Sequence, residues 1–137
     1  MNPLFRTILS SCLLLCAAGA TAATIDVRVA GSSTKGKVSV AVCDKEHFLK
    51  QCAYTASAPG QAGETTVSVK GVPNGVWAVL VYQDENGNGE LDRNLIGMPK
   101  EPYGFSRDAR GRFGPPGFDD AAFEVSEAPT TANVRLR

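Results

Sequence analysis

The stretch Val76–Tyr82, VWAVLVY, is apolar on both of its alternating faces, and it decides the fold class. Its valines and aromatic residues suit a strand, and the absence of a polar face indicates a strand that is covered on both sides. The preceding residues Val72–Gly75, VPNG, have the composition of a turn. The sequence therefore predicts a turn followed by a central strand of a sheet.

Shorter runs on both sides of this strand alternate between apolar and polar residues, which is the pattern of half-buried strands. These runs are Thr24–Ala30, Lys37–Cys43, Thr65–Lys70, Ala121–Val125 and Ala132–Leu136. The first two are separated by turn residues, Gly31–Gly36, and we expect them to form a hairpin. Asp44–Gly63 shows no strand period. Because no helical period follows the N-terminus, we predict an all-β fold, a single antiparallel β-sandwich of six to seven strands.

One long irregular segment, Gln83–Asp120, interrupts this regular spacing. Loops of this length are uncommon in compact domains unless they have a function or are disordered. This one is too rich in apolar residues for disorder, so we expect a structured loop that folds back and packs on the sandwich. Its larger apolar residues are Leu91, Leu95, Ile96, Met98, Tyr103, Phe105, Phe113 and Phe118. The four aromatic residues either plug one end of the sandwich or line a ligand groove.

The N-terminus has the features of a secretory signal peptide. Arg6 precedes an apolar run at 8–18, and small residues end the segment at Ala20–Ala22. We expect cleavage after Ala22, which gives a signal peptide at 1–22 and a single β-sandwich domain at 23–137. The apolar run is too short for a lasting membrane anchor. The predicted location is therefore outside the cytoplasm, periplasmic or extracellular, with no transmembrane segment in the mature chain; a lipoprotein signal and a buried helix are the alternatives.

Charge and cysteine content restrict the classes of partner. The chain has 14 basic and 14 acidic residues, a balance that argues against a nucleic acid or an anionic membrane surface as partner. Cys43 and Cys52 remain after signal cleavage, and a pair of cysteines in an exported chain predicts a disulfide. The alternative is a metal site that uses both thiolates together with His47.

The stretch Asp84–Asp92, DENGNGELD, matches the first nine positions of a calcium-binding EF-hand loop. Oxygens at alternate positions would be the ligands, with Gly89 at the sharp turn. Position 12 is Leu95 instead of the bidentate glutamate, so an oxygen from elsewhere would have to complete the site. The candidate metal ligands are Asp84, Asn86, Asn88, Glu90 through its carbonyl, Asp92 and, as the additional donor, Glu101. The alternative is a metal-free turn, since both Asn-Gly pairs favour turns.

Catalytic patterns are weak. His47 is the only histidine, and Ser106 lies in G-F-S-R, which is not a nucleophile elbow. Carboxylate pairs could form from Glu101 with Asp92, or from Asp119 with Asp120. We therefore expect a protein that is not an enzyme and has no cofactor other than calcium.

Three blocks of the sequence resemble a family of secreted bacterial proteins, the domain-of-unknown-function family 2141. They are VPNGVWAVLVYQDENGNGELDRN at 72–94, IGMPKEPYGFS at 96–106 and GPPGFDDAAF at 114–123. The resemblance extends from Val27 to Leu136, and it implies an exported domain with a prealbumin-like sandwich and no established activity. The block PNGVWAV is also similar to the strand entry of carboxypeptidase-regulatory and transthyretin-like domains. Two departures are Gln83, where the family often has histidine, and Arg107-Asp108, where it favours asparagines.

Three functional hypotheses follow. The first is a non-catalytic module that binds or scaffolds in the cell envelope through a protein or small-molecule partner, with a structural calcium loop. The second is a small-ligand carrier or sensor, which a pocket lined by Trp77, Tyr103 and Phe105 would favour. The third is a hydrolase, which two carboxylates facing each other across a cleft would favour.

Overall fold

The computed structural model of the chain describes residues 22–137, which fold as an all-β sandwich of two sheets. Most of the predicted signal peptide lies outside these residues; Ala22 begins the first strand. The strands are β1 (Ala22–Ser32), β2 (Lys37–Cys43), β3 (Tyr54–Pro59), β4 (Gly63–Pro73), β5 (Gly75–Asp84), β6 (Tyr103–Phe105), β7 (Phe123–Val125) and β8 (Thr130–Arg135). A 3₁₀ turn at Ser106–Asp108 and one short helix, α1 (Phe118–Ala121), lie between β6 and β7. No helix within residues 22–137 has the length and apolar character needed to cross a bilayer.

The first sheet has the strand order β4-β1-β8, and β1 runs antiparallel to β4 but parallel to β8. The second sheet has the order β3-β2-β5, with all neighbours antiparallel. The free edge of β5 is shared by two short strands: β6 lies opposite Leu80–Tyr82, and β7 lies opposite Gly75–Trp77. The stretch VWAVLVY is thus a central strand, as predicted.

The predicted hairpin between the first two strands is wrong, because β1 and β2 lie in different sheets. The segment between them crosses from one sheet to the other. Gln83, fully buried on β5, fixes this crossing by donating hydrogen bonds of 2.7 Å to the carbonyls of Ser33 and Lys35. Gly36 lies so close to the backbone of Asp84 that a Cβ would meet its carbonyl oxygen at 2.0 Å. The alternation of apolar and polar residues could not reveal the crossing. Two neighbouring strands show the same two-residue period whether they pair in one sheet or lie in two sheets that face each other.

A second correction concerns Asp44–Gly63, which was expected to lack a strand but contains β3. This strand forms the edge of the second sheet and pairs with β2 from Lys37 to Val42. Its inward positions are Tyr54, Ala56 and Ala58. Alanine contributes little apolar contrast, so the period-2 signal was weak. Residues 22–137 contain eight strands, where the sequence predicts six or seven.

The core has two parts, one on each face of the second sheet. Between the sheets lies a cluster dominated by valine, and its fully buried side chains include Ile25, Val27, Val29, Val38, Val42, Val72, Val79 and Val81. A smaller cluster covers the outer face of the second sheet, where Ala78 and Phe105 contact Phe48 and Ala121. β5 contributes to both parts, which explains why neither of its faces is polar.

The chain beyond β8 connects the two sheets at one edge. The amide of Leu136 donates to the carbonyl of Ala30 at 2.9 Å, which extends the pairing with β1. Arg137 and Tyr103 exchange two backbone hydrogen bonds, of 3.0 and 3.3 Å. The last residues therefore bond to the first sheet and to β6 of the second.

Candidate functional site

The predicted disulfide is confirmed. Cys43 and Cys52 are bonded, with their Cα atoms 5.0 Å apart, so the alternative metal site with His47 does not form. The closed loop holds Phe48 edge-on against Phe105 and Phe118, with ring centroids 5.9 and 5.7 Å apart. The disulfide therefore fixes an aromatic cluster on the outer face of the second sheet.

His47 has a local role in the same loop. Its backbone amide and its Nδ1 atom both lie 2.8 Å from Oδ1 of Asp44. The hydrogen bond from the His47 amide, together with the ring contact, lowers the pKa of Asp44 below its usual value. Both side chains are exposed, so this pair holds a surface turn.

Ser106 has a structural role in the second sheet that the sequence did not predict. It is buried where β6 ends and β7 has not yet begun along β5. Its hydroxyl accepts the amide of Val79 at 2.9 Å and donates to the carbonyl of Ala121 at 2.6 Å. One side chain thereby replaces a missing strand partner and ties down the end of α1. In the sequence, Ser106 stands out only as part of the block G-F-S, and this block does not indicate that the serine pairs with a strand.

The Asp84–Asp92 loop begins with a fully buried carboxylate. Asp84 is at the end of β5, and its two oxygens accept the amides of Asn88 at 3.2 Å and Gly89 at 2.8 Å. The hydroxyl of Tyr82 donates to the carbonyl of Gly89 at 2.9 Å, and burial raises the pKa of this phenol. The chain therefore turns tightly around the Asp84 carboxylate.

The next two candidate ligands make the same kind of local turn. The side-chain oxygen of Asn86 accepts the amide of Asn88 at 3.2 Å, and that of Asn88 accepts the amide of Glu90 at 3.0 Å. Their amide nitrogens both donate to the carboxylate of Asp92, that of Asn88 at 2.6 Å. Asp84, Asn86, Asn88 and Asp92 thus share one compact loop, whereas the side chain of Glu90 is exposed.

Glu101 contacts the loop from outside, at the position where an additional donor was predicted. Its carboxylate accepts the amide of Glu85 at 2.6 Å and the amide of Asp92 at 3.0 Å. It therefore braces both ends of the loop through the backbone. Within residues 22–137, no three side chains among His, Cys, Asp and Glu converge on one point that could hold a metal ion. Oxygens for a cation would have to include those of the asparagines.

Residues 92–100 form a hairpin-like excursion, which we call the Asp92–Lys100 hairpin. The amide of Lys100 donates to the carbonyl of Asp92 at 2.7 Å, and Asn94 and Gly97 close the tip. Leu95 and Ile96 project from this tip into solvent. The expectation that the long segment packs fully onto the sandwich is thus wrong for the hairpin tip, while it holds for Phe105 and Phe118. Apolar content alone could not separate the two groups.

A cavity of about 460 Å³, which we call the loop groove, lies between this hairpin and the outer face of the second sheet. Its floor includes Leu80, Tyr103 and Phe105 from β5 and β6. The hairpin supplies one part of the lining, residues 111–115 supply another, and Leu49 belongs to the disulfide loop. The full lining is Leu49, Leu80, Leu91, Arg93, Gly97, Met98, Pro99, Tyr103, Phe105, Gly111, Arg112, Phe113, Gly114 and Pro115.

The groove agrees with only part of the pocket that the sequence suggested. Tyr103 and Phe105 line it, but Trp77 lies on the opposite face of β5. There the indole ring packs against Tyr54 at 5.4 Å, and its N–H donates to the carbonyl of Pro73 at 2.9 Å. Phe118 packs against Phe48 instead. Of the four aromatic residues in the long segment, Tyr103, Phe105 and Phe113 line the groove, and Phe105 also belongs to the aromatic cluster with Phe118.

Comparison with known proteins identifies one family. The family model described as "Uncharacterized protein conserved in bacteria (DUF2141)" matches residues 27–133, well over half of the chain. Neither the curated proteins nor the solved structures gave a significant match.

Proposed function

The chain belongs to the bacterial DUF2141 family, and from that premise we propose that it is an exported, non-catalytic module that binds a small apolar ligand in the loop groove. Export is supported by the predicted signal peptide and by the disulfide, a bond typical of oxidising compartments. The fold class alone assigns no activity.

The observation that carries this proposal is the loop groove. Its volume of about 460 Å³ falls within the range of about 300–1,000 Å³ that is usual for small-molecule sites. Its lining is mainly aliphatic and aromatic, with few polar groups, as in sites that recognise ligands by burial. The floor belongs to the rigid sheet, whereas the rest of the lining belongs to loops.

Three of the four acidic groups considered for catalysis make structural hydrogen bonds. Glu101 holds two backbone amides, and Asp92 holds the amides of Asn86 and Asn88. Asp120 accepts the backbone amide of Gly117. Each of these carboxylates thus has a structural partner, and none lines the groove.

Binding of a neutral apolar dye such as N-phenyl-1-naphthylamine tests the proposal. We expect its fluorescence to rise on addition of the protein, because the groove removes the dye from water. Phe113→Ala should weaken the binding about tenfold, since an aromatic ring in contact with the ligand contributes on the order of 1–2 kcal/mol.

Leu95→Ala is the matched control for this dye experiment. Leu95 is as exposed as Phe113 and lies on the same long segment, but it does not line the groove. Its variant should bind the dye like the wild type. Absence of dye binding by the wild type, or equal losses in both variants, would contradict the proposed site.

We also propose that calcium binds the Asp84–Asp92 loop and stiffens the segment that walls the groove. The supporting observation is the chain of turns in which Asp84, Asn86 and Asn88 each accept a backbone amide. These turns place several side-chain oxygens in one small loop, and calcium binds through several oxygen ligands. Two asparagines lower the ligand charge, so we expect weak affinity, with Kd of the order of 10⁻⁴–10⁻³ M.

Thermal unfolding with calcium or with chelator tests the metal proposal. At a hundredfold excess over Kd, calcium should raise the free energy of unfolding by about 2.7 kcal/mol. Asp92→Asn removes a ligand charge and should abolish the increase in Tm. Glu90→Gln is the control, because its predicted donor is the backbone carbonyl and its Tm increase should remain. An unchanged Tm of the wild type at 10 mM calcium would count against the metal.

A further inference from the structure

We propose that the ligand of the loop groove is a single-chain amphiphile with an anionic head group, the chemical class of the fatty acids. The inference rests on the proposed binding function and specifies its ligand. It follows from three features: which charged residues line the groove, which apolar residues surround its mouth, and how the turn at 111–114 presents both kinds of group together.

The charged residues of the groove are all positive. Among the residues that line it, Arg93 and Arg112 are the only charged ones, and no acid accompanies them. Both arginines are exposed, so they lie at the mouth and not on the floor. A groove that is apolar inside and cationic at its mouth complements a molecule with a hydrocarbon body and an anionic end.

The two guanidinium groups have donors available for such an end. Arg93 donates through Nη1 to the carbonyl of Gly97 at 3.0 Å, which fixes its position while its other N–H groups stay available. Within residues 22–137, Arg112 makes no hydrogen bond or ion pair. By contrast, Arg110 and Arg137 share the carboxylate of Asp108, at 3.2 and 3.1 Å. Arg112 therefore lacks the acidic partner that its neighbours have.

Exposed apolar side chains surround the same mouth. Leu49, Met98 and Phe113 are 44%, 56% and 100% exposed, and all three line the groove. A large aromatic side chain that is left in water forfeits on the order of 2 kcal/mol of burial. A hydrocarbon chain in the groove would remove this apolar surface from water, whereas a small polar anion would leave it exposed.

The turn at 111–114 presents the apolar and the cationic group side by side. Gly111 allows this turn, because a Cβ there would meet the carbonyl oxygen of Gly114 at 1.8 Å. Arg112 and Phe113, at the centre of the turn, both line the groove. One turn thus offers a ring for the hydrocarbon chain next to a guanidinium group for the head.

Calorimetric titration of the mature protein with dodecanoate tests the inference, at pH 8 and below the critical micelle concentration. We expect one dodecanoate per chain. Arg93→Gln/Arg112→Gln should weaken dodecanoate binding about tenfold or more, the size of one charge-assisted contact. The double variant should bind dodecanol like the wild type. Arg28→Gln/Lys70→Gln removes the same charge from the other sheet and should bind both ligands normally.

The outcomes separate this inference from the proposed function. Binding of the neutral dye and dodecanol, with no preference for dodecanoate, would overturn the anionic head group but leave the groove as a site. Failure of all three ligands would overturn both proposals. Binding only to vesicles of anionic phospholipid, with none to monomeric dodecanoate, would also overturn the inference, because a membrane surface would then be the partner.

Discussion

At the scale of single residues, several side chains make hydrogen bonds that the backbone of a neighbouring strand would normally make. Ser106 replaces a strand partner for Val79, and Gln83 clamps the crossing between the sheets. Arg107 and Asp108 adopt left-handed backbone angles, with φ of 59° and 50°. Asparagine and aspartate tolerate that conformation better than arginine does. The asparagines that the family resemblance implies after G-F-S thus fit the backbone that this chain adopts with arginine and aspartate.

We predict that Ser106→Ala lowers the free energy of unfolding by about 2–3 kcal/mol. The change leaves the buried amide of Val79 without an acceptor, and unsatisfied buried groups carry their full desolvation cost. Urea unfolding measures the effect. Ser126→Ala, at an exposed position, is the control and should change stability by less than about 0.5 kcal/mol. Equal stabilities of the two variants would show that Ser106 does not serve as a strand partner.

At the scale of elements, the base of the Asp92–Lys100 hairpin is braced by Glu101. Hydrogen bonds from Lys100 and Asn94 hold the hairpin internally, but its tip makes no apolar contact with the core. The carboxylate of Glu101 connects Asp92, where the hairpin begins, to Glu85 at the end of β5. The buried side chain of Glu101 therefore contributes to the order of this part of the loop groove.

Glu101→Gln should destabilise the chain by about 2 kcal/mol, because the new amide NH₂ must face one of two backbone N–H groups. In calcium-free buffer, we expect the amides of Glu85 and Asp92 to exchange hydrogen faster, while amides in the middle of β5 keep their protection. Glu85→Gln is the control, since the side chain of Glu85 is exposed. Unchanged exchange at both amides would argue that the brace is dispensable.

At the scale of the whole molecule, strand periodicity predicted the sandwich but not which strands pair in each sheet. VWAVLVY indicated a central strand because both of its faces are apolar. The pair of cysteines that follows the predicted signal peptide, Cys43 and Cys52, indicated a disulfide, which the structure confirms. Alternation could not assign β1 and β2 to different sheets, and alanines hid β3.

The candidate site was predictable in the same partial way. The spacing of an EF-hand loop singled out Asp84, Asn86, Asn88 and Asp92, which lie in one compact loop. Calcium binding by this loop stays a prediction. The part played by Arg112 and Phe113 in the groove depends on a tight turn at Gly111. That turn brings Gly111 against the backbone of Gly114 and Pro115, and the alternation of apolar and polar residues does not indicate such a contact.

The pairing of β1 with β8 has a consequence for the order of folding. Ile25 lies beside Thr130, and Leu136 bonds to Ala30, so the first sheet joins the two ends of the described chain. Contacts between residues this far apart in sequence form slowly, because a long loop must close first. The first sheet therefore cannot be completed until β8 has been synthesised. A nascent chain that ends before Thr130 lacks this strand, and β1 then has no partner along the edge that faces β8.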